Sequence, residues 1–197
     1  MKTRVDKTNK KLQKIIGFDM DGVILDNSLV KIQLAKKFGW EIKMHDTPSE
    51  IYKTVLPEPV FTRVQKLLYD DPVVSASVEV MPGVRDTLDF IISNKIPYFL
   101  ISRRRLPESG IEALKRHGLW PEYFNEKNSF FVETPKSKNT KAKELGITHY
   151  IDDERGVLAQ LTDVKHRFLF DHLNVFAPAL YYLKVSSWNE IQNLILS

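Results

Sequence analysis

The sequence contains no cysteine. That excludes a disulfide frame, a thiolate zinc site and a cysteine nucleophile, so covalent catalysis would have to use oxygen, nitrogen or a carboxylate. The five histidines, His45, His117, His149, His166 and His172, are scattered without His-Glu-x-x-His spacing, which argues against a zinc hydrolase. Long apolar runs are also missing. The longest uncharged stretch, residues 173–183, is broken by Pro178 and falls short of the roughly 18 residues that a membrane helix needs. No membrane association and a cytoplasmic location are therefore expected. Gly-x-x-x-x-Gly-Lys, Gly-x-Gly-x-x-Gly and Gly-x-Ser-x-Gly are all absent, so the nucleoside-triphosphatase, dinucleotide-binding and serine-hydrolase readings lack their residues.

The 197 residues suffice for one compact domain with a small insertion, and 43% hydrophobic with 27% charged residues is the usual globular mixture. The formal charge of +4 comes from the first 14 residues, where Lys2, Arg4, Lys7, Lys10, Lys11 and Lys14 face one acid, Asp6. A basic leader of this kind, 1–13, is expected to fray; it lacks the apolar segment of a secretory signal. The rest of the chain is close to neutral, so no stable nucleic-acid partner is expected.

Short continuous apolar runs recur at 15–18, 97–101, 130–132, 150–151 and 168–170, with helix-like segments between most of them. Strands buried on both faces read this way, which predicts an α/β fold with a mostly parallel sheet. Pro82-Gly83 opens a helix, with the proline suited to its first turn, and another runs through Ile111 and Leu114 to stop at His117-Gly118. Between 28 and 80 three helix-like pieces follow one another without a strand, which predicts an inserted helical unit. Its second piece starts at Thr47-Pro48-Ser49-Glu50, with capping-box spacing, and its third, about 58–69, places Val60, Val64, Leu67 and Leu68 on one side.

The first strand runs directly into Asp19-Met20-Asp21-Gly22-Val23. Two carboxylates at the mouth of a buried parallel strand stand where α/β sheets place their ligands, and they repel each other unless a cation or a proton intervenes. Further on, the apolar strand 98–101 ends in Ser102, followed by Arg103-Arg104-Arg105. Lys136, Lys138, Lys141 and Lys143 then precede Glu144-Leu145-Gly146, and Tyr150-Ile151 leads into Asp152-Asp153.

Taken in this order, these segments resemble the four motifs of the haloacid-dehalogenase superfamily of phosphohydrolases. The resemblance spans about residues 14–195. It implies a Rossmann-like core formed by 14–27 and 81–197, with helices on both faces, and a small helical cap, 28–80. It implies that Asp19 is the nucleophile and takes up the phosphoryl group, while Asp21 protonates the leaving oxygen and then activates water. Ser102 and Lys138 would contact the phosphate, with Lys136 as the reserve lysine and Arg103 as the arginine assigned to the phosphate. Mg²⁺ is the implied cofactor, held by Asp19, Asp152, the main-chain carbonyl of Asp21 and, through water or as an orienting acid, Asp153. Asp153 would also serve as N-cap of the helix beginning near Glu154. The dehalogenating branch does not keep the second aspartate as an acid, so Asp21 points to phosphoester chemistry.

The substrate implied is a small phosphorylated metabolite. Residues 170–174 and 187–191 are similar to the C-terminal region of the 5′(3′)-deoxyribonucleotidase group, which suggests a nucleoside monophosphate; Trp40, Tyr52, Phe61 and Tyr69 of the insertion are candidate base-stacking residues. Alternatives are a sugar-phosphate or other metabolite phosphatase, and a non-catalytic regulator that binds phosphate or metal.

Overall fold

The computed structural model describes residues 13–196. All but the last residue of the basic leader lies outside them. In chain order the elements are β1 (Ile16–Phe18), β2 (Leu25–Asp26), α1 (Ser28–Lys37), α2 (Ser49–Val55), α3 (Glu58–Asp70), α4 (Pro72–Ser75), β3 (Glu79–Val80), α5 (Val84–Ser93), β4 (Tyr98–Ser102), α6 (Pro107–Arg116), β5 (Ser129–Phe131), α7 (Pro135–Glu144), β6 (His149–Asp152), α8 (Arg155–Gln160), β7 (His166–Phe170), β8 (Leu183–Val185) and α9 (Trp188–Leu196).

Six strands form one sheet in the order β5-β4-β1-β6-β7-β8, and every pairing in it is parallel. The chain fills one side of β1 first and then the other. The connections therefore diverge at β1 and β6, which opens a crevice at the C-terminal ends of these strands. Alternate strand residues feed two apolar clusters. Ile16, Phe18, Leu100, Ile151, Phe168 and Phe170 pack on one face with α5, α6 and α9. Ile101, Tyr150 and Leu169 pack on the other with Ala142 of α7 and Val157 and Leu158 of α8. Such two-sided burial is what the continuous apolar runs require. The sixth strand gives no such run: β8 is an edge strand, with Leu183 exposed and only Val185 buried.

Helices α1–α4 lie between β2 and β3, an antiparallel ribbon pairing Leu25 with Val80 and Asp26 with Glu79. The ribbon brings both ends of the insertion together beside β1. Val30, Leu34, Tyr52, Val64 and Leu68 of the insertion join the first core cluster, so the insertion shares a core with the sheet. The capping box expected at Thr47 does not form. The N-cap of α2 is Pro48 and no side chain caps it, while Thr47 Oγ1 donates to the Met44 carbonyl. Glu50 is drawn away to α8. At α5 the N-cap is Gly83, in the left-handed region with φ +85°, so Pro82 lies just outside the helix instead of in its first turn. No helix among the described residues is long and apolar enough to cross a membrane.

Trp188, fully buried at the start of α9, fixes the loop that follows β1. Its ring packs on Phe18 at 5.1 Å between centroids, and its Nε1–H donates to the Val23 carbonyl at 2.9 Å. A buried indole with its N–H satisfied combines apolar burial with a directional contact, which suits it to pinning a loop against a core.

Candidate active site

The parallel ladder extends one residue past β1, because the Asp19 N–H donates to the Ile151 carbonyl at 2.9 Å. Asp19 thus leaves the sheet beside β6, and the chain turns sharply. The amides of Ile24 and Leu25 both donate to the Met20 carbonyl, at 2.9 Å each, and that of Gly22 to Leu25 at 2.8 Å. Gly22 takes φ +79°, and a Cβ there would lie 2.3 Å from Oδ2 of Asp153. Glycine is needed on both counts: it permits the left-handed backbone and leaves room for the carboxylate.

Lys138 is the fourth residue of α7, whose N-cap Thr134 accepts from the Ser137 amide. It has no solvent exposure, and its Nζ lies 3.0 Å from Oδ1 of Asp19 and 2.8 Å from Oδ2 of Asp152. The Tyr150 ring lies 5.5 Å from the same Nζ, and the Tyr150 hydroxyl donates to the Ile101 carbonyl at 3.0 Å. Gly17 makes room for that ring, since a Cβ there would lie 2.5 Å from it. Lys136 faces solvent, so the buried amine of this site is Lys138. Burial opposes the charge on Lys138, yet Asp152 and Asp19 hold its pKa well above the ordinary range. Burial pushes the Asp19 carboxyl up to about 6, with Lys138 opposing.

Asp19, Asp152 and Asp153 each offer one carboxylate oxygen within 4.8 Å of the others. One ammonium does not balance this set. Burial, then Glu154, Asp152 and Asp19, push Asp153 well above the usual carboxylate range, against the opposing charge of Lys31. Three hard oxygen donors with a surplus of negative charge fit Mg²⁺, which prefers carboxylate and water oxygens. The expected N-cap role of Asp153 is taken by other groups: Oδ1 of Asp152 accepts from the Glu154 amide at 3.0 Å, and Oε1 of Glu50 accepts from the Gly156 amide at 2.9 Å. Asp153 carries no helix bond, which leaves its carboxylate facing the acids.

Ser102 ends β4 beside β1, where Leu100 pairs with Phe18. Its Oγ accepts from the Arg104 amide at 3.2 Å, and its own hydroxyl proton has no protein acceptor among the described residues. The three arginines after it diverge. Arg103 pairs with Glu154 at 2.6 Å, and its buried Nε has no partner. Arg104 is buried and grips both oxygens of Asp21, at 2.8 and 2.7 Å. Arg105 pairs with Asp70 on the surface.

Two further residues carry no signal of a role at the site in the sequence. Lys31 of α1, fully buried, donates to the Thr47 carbonyl at 2.8 Å and to Ser49 Oγ at 3.3 Å. Burial lowers its pKa, opposed by Asp153, Asp21, Glu154 and Asp26. With Asn27, Ser28, His172 and Gly22 it lines a small, open cleft that reaches Asp153. Glu50 of α2 accepts from Nε of Arg155 at 2.8 Å besides the Gly156 amide, joining the insertion to α8.

No family model matches the sequence, and no curated protein does. Solved structures do match. A haloacid dehalogenase-like protein from Agrobacterium tumefaciens superposes with a TM-score of 0.64 at 16% identity, over 93% of this chain and 98% of its own. A haloacid-dehalogenase-family hydrolase from Deinococcus radiodurans, solved with phosphate and sodium, gives 0.63 at 14%, over 91% and 93%. A subfamily IA hydrolase of the same superfamily from Geobacter sulfurreducens gives 0.59 at 15%, over 95% and 99%. The chain has the haloacid-dehalogenase fold. In this chain the acids at the ends of β1 and β6, the hydroxyl that ends β4 and the lysine of α7 stand at the same end of the sheet. Of the residues named from sequence, Asp19, Asp152 and Lys138 touch, and Asp153 stands within ion-sharing distance of the two acids. The carboxylate of Asp21 is instead turned to Arg104.

Proposed function

We propose that the protein is a Mg²⁺-dependent phosphomonoester hydrolase that works through an aspartyl-phosphate on Asp19. The observation that carries this reading is the buried Lys138 held between Asp19 and Asp152, with Asp153 close enough to share a cation with both. The neighbour from Deinococcus radiodurans was solved with phosphate and sodium, which is in keeping with a phosphate ligand for a protein of this fold.

A carboxylate attacks a dianionic phosphate only if charge repulsion is relieved. Lys138 cancels part of that repulsion and fixes Asp19 for in-line approach. Mg²⁺, bound by Asp19, Asp152 and Asp153, would supply the remaining positive charge. An oxygen of Asp19 forms a bond to phosphorus, the bond to the leaving alcohol breaks, and Asp21, once its carboxylate has left Arg104 and carries a proton, gives that proton to the alcohol oxygen. Water then attacks phosphorus while Asp21 takes its proton, the bond to Asp19 breaks, and inorganic phosphate leaves. The free O–H of Ser102 and the unpartnered Nε of Arg103 are donors for phosphate oxygens.

The helices of 28–80 act as a cap that limits water and selects the leaving group. Three of the four candidate aromatics of the insertion are occupied elsewhere, and the fourth, Trp40, lies off the cleft. Tyr52 donates to the Lys31 carbonyl and packs on Phe61, Tyr69 lies under Arg104, and Trp40 is exposed and lines no part of the cleft. The cleft beside Asp153 has a mixed lining, Asn27, Ser28, Lys31 and His172 with Phe170 and Phe176, which fits a small phosphorylated metabolite. The test is release of phosphate from an aryl phosphate with Mg²⁺, with and without EDTA, followed by a panel of sugar phosphates and nucleoside monophosphates. Activity that persists in Asp19→Asn contradicts the mechanism, and hydrolysis of none of the panel contradicts the substrate class.

A further inference from the structure

We propose that Asn27, Ser28 and His172 form a subsite for the alcohol part of the ester, and that this alcohol carries hydroxyl groups beside the phosphorylated carbon. The inference rests on the reading of the protein as a phosphomonoester hydrolase and deepens it to a substrate class, a phosphorylated polyol. The cleft that reaches Gly22 and Asp153 is lined by the start of α1 and by the loop after β7. Asn27 and Ser28 are each 4% exposed, both line it, and neither side chain has a hydrogen-bond partner among the described residues. Asn27 stands at the N-cap of α1, yet its side chain makes no capping bond, and the Ser28 amide donates to Oδ1 of Asp26 at 2.9 Å. From the loop after β7, Nε2 of His172 is buried without a partner. Buried polar groups are ordinarily paired, and three unpaired ones around one cleft call for a polar occupant.

The chemistry of the lining selects the class. Asn27 offers donors and an acceptor on one amide, and the Ser28 hydroxyl does both. Burial lowers the pKa of His172, opposed by Asp26 and Asp171, so its neutral ring has one donor and one acceptor. Groups that both donate and accept match hydroxyls, which do the same. A carboxylate in their place would leave the Asn27 carbonyl and the His172 lone pair without a donor, and an ammonium would stand against Lys31. Asp171, which also lines the cleft, is taken up by the amides of Val175 and Phe176, at 2.9 Å each, and by Lys184 at 2.9 Å. Those bonds fix the loop that carries His172, so the subsite is preformed. Phe170 and Phe176 supply apolar surface for the carbon chain.

The test uses the Mg²⁺-loaded enzyme and the ratio of kcat/KM between glycerol 3-phosphate and propyl phosphate, esters of equal chain length that differ in their hydroxyls. The parent protein is expected to prefer the polyol ester by at least about tenfold, and Asn27→Ala and His172→Phe each to lower that ratio by about tenfold. His172→Phe keeps a ring stacked on Phe170 and removes the nitrogens. The ratio does not depend on the folded fraction, and where one variant gives no folded protein the other decides. Calorimetry on the Mg²⁺-loaded Asp19→Asn protein reads binding without turnover: glycerol 3-phosphate should bind about tenfold more tightly than propyl phosphate, and His172→Phe in that background should narrow the difference. A ratio near one in the parent protein, or a ratio that both variants leave unmoved, means that water satisfies these groups and overturns the subsite. Preference for anionic phosphoglycolate or cationic phosphocholine over glycerol 3-phosphate overturns it as well. In each of these cases the hydrolase reading stands. Release of phosphate from no ester, aryl phosphate included, overturns the hydrolase reading and the subsite with it.

Discussion

The Nζ of Lys138 lies 2.8 Å from Oδ2 of Asp152, and neither side chain has any solvent exposure. An ion pair this deep is retained only if both charges are satisfied, and here the ammonium also serves Asp19 at 3.0 Å. Removing the ammonium strands two carboxylates in the core. Lys138→Met should therefore cost about 3–5 kcal/mol in unfolding free energy, measured in urea, and abolish turnover. An unchanged denaturation midpoint would mean that the pair makes no net contribution.

Gly22 is the second point where the site depends on one residue. Its φ of +79° and the 2.3 Å that would separate a Cβ from Oδ2 of Asp153 make Gly22→Ala strained in backbone and side chain together. A loss of about 1–3 kcal/mol is expected in thermal or urea unfolding. Weaker Mg²⁺ binding in calorimetry should accompany it, because Asp153 must shift.

Glu50 joins α2 to α8 through Arg155, at 2.8 Å, and the Gly156 amide, at 2.9 Å. Both side chains are partly exposed, so Glu50→Ala should cost only about 1 kcal/mol or less. The sharper effect is local: faster amide hydrogen exchange in α2 and at the first turn of α8, with the core strands unchanged. Uniform exchange across the molecule would contradict a latch at this position.

Away from the acids, burial, then His166, Lys14 and Lys165, push His149 down to about 4. The unfolded chain takes up this proton near the ordinary value of 6.5, so between about 6.5 and 4 the unfolded state binds more protons than the folded one. Stability contributed by the neutral ring is present above pH 6.5 and is lost as pH falls toward 4. His149→Phe should flatten this part of the Tm profile. A profile as steep as that of the parent protein would assign the slope to other groups.

The sequence carried the sheet and the acids for the same physical reason. Parallel strands buried on both faces must be continuously apolar, so 15–18 and 150–151 stood out, and the polar residues that ended them stood out in turn. Lys138 could be told from Lys136 only by helix phase relative to a strand end, which the fold supplies: the first is buried against Asp19 and the second faces solvent. Strand β8 was illegible because an edge strand with Leu183 exposed has no apolar run to show. Thr47 to Glu50 had the spacing of a capping box, but Arg155 and the free amide of Gly156 offer Glu50 stronger partners than its own helix does. Nothing in three successive arginines says that the middle one is buried against Asp21 and Ser75; that contact depends on how the insertion folds back.

The claim that everything else depends on is the covalent step at Asp19. It is tested most directly by mixing enzyme, Mg²⁺ and a labelled aryl phosphate, quenching in acid and locating the label by peptide mass spectrometry. Fragmentation of tryptic peptide 15–31, which also contains Asp21 and Asp26, should place one phosphoryl group on Asp19, and the Asp19→Asn protein should carry none. A phosphoryl group on any other residue, or full turnover with no labelled peptide under rapid quench, would contradict the account.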